Sequence, residues 1–272
     1  LLPSRCHDHG EDRQGHRCAP SGASQEGSGG KLLGNGLNGQ ATAAGIAASG
    51  LDGLVTVESN NWDGYQDHSS EDSNGVYANT GWQLGGGSES RLSASYLNSD
   101  QKLPGALTRA QYEADPDQAS AAAQGGDYQK NLDTWRLANK THLALDNASF
   151  LEFGVSWEEQ SLYHPIVDKV LVDFDGPGPA PPREVFSLLV DTDHRDFGAM
   201  TRYEVNLDQH NLLLGLNFGD GKVSGGNFRN DNGNKNGLTT AVDNTARNLE
   251  AFAMDRWALA PRWTLVYGAQ AV

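Results

Sequence analysis

Long apolar runs are missing from this sequence. No stretch of roughly 18 apolar residues occurs, which excludes a membrane-spanning helix. It does not exclude a membrane barrel, whose strands need only alternate. Positive charge is scarce: 20 Lys and Arg stand against 35 Asp and Glu, a formal charge of −15. That excludes nucleic acid as a partner, because its phosphates require a basic surface. Hydrophobic residues make up 37% of the chain, little for a packed globular core. No secretory signal and no initial Met open the 272 residues, so the chain reads as a fragment or a processed product.

Cysteine is nearly absent. The two that occur, Cys6 and Cys18, flank His7, His9 and His16 in a segment without apolar residues. Cys and His are zinc ligands, but this spacing fits no common zinc pattern. A disulfide across a small loop is the second reading, suited to an oxidising compartment. An unstructured head over residues 1–20 is the third.

What the chain does have is glycine, 33 residues of it, and segments that alternate. The clearest lies at residues 133–160. Trp135, Leu137, Asn139, Thr141, Leu143 and Leu145 alternate with Arg136, Ala138, Lys140, His142 and Ala144. After Asp146-Asn147-Ala148, Leu151, Phe153, Val155 and Trp157 alternate with Glu152, Gly154, Ser156 and Glu158. Period two with an Asp-Asn break predicts an antiparallel hairpin with one oily and one polar face. Each arm has about the length a tilted strand needs to cross a bilayer.

Similar segments recur. A weak strand is expected before Gly34, with a turn at Gly34–Asn38, then a strand over Gln40–Ser49. Leu51-Asp52-Gly53 reads as a turn and Leu54–Asn61 as a strand. Strands follow around Val76–Leu84 and Arg91–Tyr96, separated by Gly85-Gly86-Gly87. The pattern is lost from about Asp100 to Tyr128, where Leu107–Ala114 suits a short helix stopped before Pro116. It is lost again over 161–193, with its Pro-rich centre, and over Gly219–Ala246. Strands around Phe197–Asn206, Leu212–Phe218, Leu249–Leu259 and Trp263–Ala271 complete the set, the last two joined by Ala260-Pro261-Arg262. Connections near 51, 86, 147, 208 and 261 are thus short, and those near 67, 114, 177 and 233 long. An all-β antiparallel meander of about ten or eleven strands then places every long loop at one end, as in a transmembrane β-barrel with short periplasmic turns and long extracellular loops. Trp62, Trp82, Trp135, Trp157, Trp257 and Trp263 fall near expected strand ends, where aromatic girdles meet membrane interfaces.

Several segments resemble TonB-dependent outer-membrane receptors of the ferric-siderophore and ferric-citrate type. These are Asn61-Trp62-Asp63-Gly64-Tyr65-Gln66-Asp67-His68-Ser69, Leu103-Pro104-Gly105-Ala106-Leu107-Thr108 and Glu113-Ala114-Asp115-Pro116. Trp135-Arg136-Leu137-Ala138-Asn139-Lys140-Thr141, Leu162-Tyr163-His164-Pro165-Ile166 and Leu259-Ala260-Pro261-Arg262-Trp263 continue the likeness in order, over roughly residues 25–272. The resemblance implies a plug inside a barrel of about 22 strands, uptake of a ferric chelate with energy delivered through TonB, and location in the bacterial outer membrane, among lipid and lipopolysaccharide. Residues 21–272 would then be the N-terminal half of the barrel, without plug, TonB box or remaining strands, and residues 1–20 do not resemble the end of a plug.

No catalytic constellation stands out, so no enzyme and no cofactor are expected. Asp191-Thr192-Asp193-His194 lacks a nucleophile elbow, and His194 reads as a strand-start residue. Ferric chelates are often anionic and flat-faced, and Arg forks and aromatic faces suit them. The resemblance places capture at the long loops and upper lumen, where the candidates are Arg109, Tyr112, Tyr128, Arg136, Tyr163 and His164. The acidic residues Asp115, Asp117, Asp168, Asp173 and Asp175 suit instead a cationic complex, or divalent ions between lipopolysaccharide heads. Two other readings compete: a small porin-like channel, and a soluble β-rich binding protein.

Overall fold

A computed structural model describes residues 36–47, 50–176, 178 and 181–272. The expected metal or disulfide segment, Cys6 to Cys18, and the strand before Gly34 lie outside the described residues. Ten strands run β1 Gly36–Ile46, β2 Leu51–Trp62, β3 Glu71–Gly85, β4 Ser88–Lys102, β5 Gln129–Ala144, β6 Ser149–Val172, β7 Arg183–Leu207, β8 His210–Asp231, β9 Asn234–Ala260 and β10 Trp263–Ala271. They form one sheet in sequence order, every neighbour antiparallel. Two short helices, α1 Arg109–Ala114 and α2 Ala121–Gly125, interrupt the β4–β5 connection. No helix is long and apolar enough to cross a membrane among the described residues.

The register fixes the faces. Val155 pairs with Asn139 on one side and Ala199 on the other; Ala199 pairs with Phe218, and Phe218 with Leu249. Directly opposed residues share a face. One face therefore carries Val55, Val57, Ala78, Leu92, Trp135, Leu137, Phe153, Val155, Phe197, Leu214, Leu216, Phe218, Leu249 and Leu265. The other carries Asp52, Arg91, Arg136, Lys140, Glu152, Glu158, Arg202 and Glu204. Val155 is 49% exposed and Leu216 50%, so the apolar face is left open by the protein itself. A patch of this extent needs lipid or a partner to cover it.

The apolar band ends on one line across the strands. Immediately beyond it, Ser59 donates to Asn74 at 2.8 Å, and Asn98 to Asp133 at 2.9 Å. Arg195 pairs with Glu159 at 3.2 Å, Lys222 with Asp243 at 3.1 Å, and Arg247 with Asp220. At the opposite end lie the short turns. Among them are Gly85-Gly86-Gly87, all at positive φ, and Asp146–Ala148, where the Asp146 carboxylate accepts from the Ala148 N–H at 2.8 Å. That bond holds the Asp146 carboxyl below its ordinary range.

Several sequence expectations need correction. Residues expected as a turn at Gly34–Asn38 already belong to β1 from Gly36. The turn expected at Leu51-Asp52-Gly53 lies earlier, where Gly50 takes φ +78, because Leu51 and Gly53 pair with Trp82 and Thr80. The patternless stretch 161–193 is mostly strand: β6 continues to Val172 and β7 begins at Arg183. Gly219–Ala246 is not a long loop but a hairpin extension closed by Asn232-Gly233, at φ +50 and +79. Beyond the apolar band both faces are wet or packed, so hydrophobicity no longer alternates although the ladder does. Bulges between Pro165 and Leu171 further break the period. β4 runs on to Lys102, and α2 was not foreseen. His194 lies inside β7 rather than at its start. Trp135 and Trp157 lie inside β5 and β6, not at strand ends; they mark the end of the apolar band, since the strands run on past it.

Candidate functional site: the cap and the polar wall

Past the apolar band, chain segments fold together into a cap. Thr108 and Gln111 form a capping box that starts α1, and the Ser120 hydroxyl accepts from the Ala123 N–H to start α2. The 63–70 connection docks on this loop: Asp67 N–H donates to the Asp117 carbonyl at 2.7 Å, and Gln66 Nε2 to the Pro116 carbonyl at 3.1 Å. The tip of the β8–β9 hairpin closes on it from another side. Asn230, fully buried, donates through Nδ2 to the Gly126 carbonyl at 2.7 Å and the Val167 carbonyl at 3.3 Å, and accepts from Gly233 N–H at 2.9 Å. The buried apolar side chains among the described residues, Ala119, Ala123 and Leu189, all lie in this cap.

The six sequence candidates do not meet in one pocket. Arg109 and Tyr112 sit on exposed α1, where Arg109 pairs with Glu113 at 2.7 Å. The Tyr128 hydroxyl accepts from Asp168 N–H at 2.9 Å, and its carbonyl accepts from Leu103 N–H at 2.9 Å, so it ties the loop to β6. The Tyr163 hydroxyl donates to the Gly233 carbonyl at 2.7 Å, and burial raises its pKa. His164 Nδ1 lies 2.5 Å from the Gln129 carbonyl. Arg136 lies on the polar face, paired with Glu158 at 2.5 Å. Tyr128, Tyr163 and His164 thus hold the cap together. Among the acidic candidates, Asp115 accepts from Asp117 N–H at 3.1 Å, and Asp173 from Asp175 N–H at 3.2 Å.

Two of the hollows on the sheet are lined by both acidic and basic side chains. One, of about 420 Å³, is lined by Glu89, Arg91, Lys140, His142 and Glu152. Its charges are matched: Arg91 with Asp52 at 2.9 Å and Glu89 at 2.9 Å, Lys140 with Glu152 at 2.8 Å. Such a wall is wet and polar but offers no unbalanced charge. The other, of about 380 Å³, lies beside the cap between β7, β8 and β9, lined by Phe186, Leu188, Asn227, Arg229 and Thr240. Sequence reading missed these residues. Phe186, Leu188 and Val190 do alternate with Ser187 and Leu189, the signal that could have found the strand.

A single antiparallel meander with one apolar face, one charged face and all long connections at one end defines part of a β-barrel wall. Solved structures share this fold. The ferripyoverdine receptor of the outer membrane of Pseudomonas aeruginosa, bound to ferripyoverdine, superposes with a TM-score of 0.67 at 12% identity, over 93% of this chain and 37% of the receptor. The ferric-catecholate import receptor Fiu of E. coli gives 0.63 at 12%, over 86% and 42%. The ferric enterobactin receptor PfeA of P. aeruginosa gives 0.60 at 12%, over 91% and 38%. The chain therefore spans about two fifths of the length of these receptors. No family model and no curated protein matches the sequence.

Proposed function

We propose that residues 21–272 form the N-terminal half of the barrel of a TonB-dependent outer-membrane receptor that takes up a ferric chelate. The observation that carries the reading is the apolar band bounded by cross-strand polar pairs, on a sheet with the fold of three ferric-chelate receptors. The band faces lipid, the cap lies outside the cell, and the short turns face the periplasm. TonB is the energy-supplying partner, engaged through the rest of such a receptor. The role is transport, with no reaction catalysed and no resident cofactor; iron is cargo. The polar pairs beyond Phe197 and Phe218 lie at the level of lipopolysaccharide heads. The open apolar face weighs against a soluble binding protein.

The test is iron uptake by cells with and without the gene, grown with and without an iron chelator. Expression of the receptor should rise under iron limitation, and deletion should abolish uptake of at least one ferric chelate. Unchanged expression together with unchanged uptake across a panel of chelates would contradict the reading.

A further inference from the structure

We infer that Asn236 is a modification site, at which the chain deamidates itself through the adjacent Gly237, and that the fold protects the other Asn-Gly pairs among the described residues. The inference does not depend on the transport reading.

The chemistry starts in the sequence. Asn followed by Gly occurs at Asn35, Asn38, Asn74, Asn232 and Asn236, and Asn35 lies outside the described residues. In such a pair the glycine nitrogen gives up its proton to hydroxide and attacks the Asn Cγ. A C–N bond forms, the Cγ–Nδ2 bond breaks, and the amide nitrogen takes a proton from water and leaves as ammonia. Water then opens the five-membered succinimide. Breaking the new C–N bond gives aspartate, and breaking the original peptide C–N bond gives isoaspartate. Glycine favours the attack because no Cβ stands in the way. The attack also requires the backbone to leave the extended form and the glycine N–H to leave any partner it has.

Three of the pairs lack that freedom. Asn38 and Gly39 stand opposite Asn60 and Ser59 in the regular β1–β2 ladder. Gly75 is buried and opposed by Glu58 on one side and Leu97 on the other, and Asn74 Oδ1 accepts from the Ser59 hydroxyl at 2.8 Å. Asn232-Gly233 forms the hairpin turn, but the cap clamps it. Gly233 is buried, its N–H donates to Asn230 Oδ1 at 2.9 Å, and its carbonyl accepts from the Tyr163 hydroxyl at 2.7 Å.

Asn236-Gly237 is placed differently. The β8–β9 register steps from Phe228 opposite Leu238 to Asn230 opposite Lys235, so Asn236 and Gly237 together face Arg229 in a bulge. Gly237 takes φ +79, already outside the extended region. Both residues are exposed. A Cβ at Gly237 would meet no atom within 4 Å, so the ring has room to close. The flanks are held: Lys235 pairs with Asp191, and the Thr239 hydroxyl donates to the Asn227 carbonyl at 2.8 Å. The looseness is confined to the reacting pair. Each event adds one negative charge across the ladder from Arg229, and the isoaspartate product also lengthens the backbone at the bulge.

The experiment follows deamidation of the complete protein in detergent, incubated for days in mildly alkaline buffer. Trypsin cuts at Lys235, so Asn232 and Asn236 fall in different peptides. Mass spectrometry reads the conversion at each, and an isoaspartyl methyltransferase counts the isoaspartate. Asn236 should convert about five-fold or more faster than Asn38, Asn74 and Asn232, the factor that one lost backbone hydrogen bond implies. In urea the four rates should converge. N236Q should silence the site, because glutamine would have to close a six-membered ring. N230A, which frees the Gly233 N–H, should raise the Asn232 rate toward that of Asn236. Y163F should raise it less, and heat-modifiable migration checks that each variant is folded. Asn74 or Asn232 reacting as fast as Asn236 in the folded protein would overturn the inference. So would the same ranking in urea, which would assign the selectivity to local sequence. An unchanged Asn232 rate in both folded variants would contradict the clamp and the protection built on it.

Discussion

The wall and the cap are built from the same strands but by different physics. In the wall each side chain touches only neighbours along the sheet, and Val155, Leu216 and Leu249 stay 49%, 50% and 64% exposed. Its stability comes from the hydrogen-bonded ladder and from whatever covers the apolar face. In the cap, Leu189 and Asn230 are fully buried, and Asn230 ties the β4–β5 loop at Gly126 to β6 at Val167 and to the β8–β9 turn at Gly233. The cap makes its own interior. A wall that depends on its surroundings and a cap that does not should respond to different mutations and be read by different probes.

The largest expected separation comes from Leu189→Ala. Emptying a fully buried leucine costs about 2–5 kcal/mol. The loss should appear as faster hydrogen exchange and protease cutting in residues 103–128, with the wall strands unchanged. Equal loosening of β2 and β3 would join the two regions into one cooperative unit. Asn230→Ala should come next. It removes bonds to Gly126, Val167 and Gly233 and leaves their backbone groups unpaired, about 2–4 kcal/mol at roughly 1 kcal/mol each. Cleavage of intact cells near residue 126 should rise; unchanged cleavage would show that the hairpin tip does not hold the loop. The smallest effect belongs to Asp146→Asn at the short-turn end. The folded carboxyl titrates below its ordinary value, so its stabilisation is present above that value and fades as pH falls through the folded one. The variant should lose only this shallow acid dependence. An acid limb as steep as that of wild type would show that the Ala148 contact contributes nothing.

What was legible in the sequence follows the same division. Where one face meets an apolar medium, alternation is forced. Leu151, Phe153, Val155 and Trp157 against Glu152, Ser156 and Glu158 named the faces correctly, and the short turns near 86, 147, 208 and 261 were found. Beyond the band nothing forces alternation, and Asn-rich Gly219–Ala246 read as loop although Asn232-Gly233 is a strong hairpin signal. The cap escaped for a related reason. Apart from Leu189, its interior is made of Ala119, Ala123, Ser187 and Asn230, small or polar residues that carry no hydrophobic pattern. Tyr128, Tyr163 and His164 were picked as ligand groups for their chemistry, but that chemistry is engaged by the chain: their hydroxyl and imidazole groups bond Asp168, Gly233 and Gln129.

The central claim is that the apolar face of the sheet meets lipid and the charged face meets water. Val155 and Ser156 are adjacent and lie on opposite faces, paired with Ala199 and Gly198. The direct test is urea unfolding in lipid vesicles of the complete protein carrying Val155→Lys or Ser156→Lys. Val155→Lys should destabilise it by about 2–4 kcal/mol if the site lies near the bilayer midplane, because the ammonium must enter hydrocarbon. Ser156→Lys should cost far less, because its face is wet. Equal costs at the two positions, or a larger cost at Ser156, would contradict the assignment of faces and with it the barrel wall.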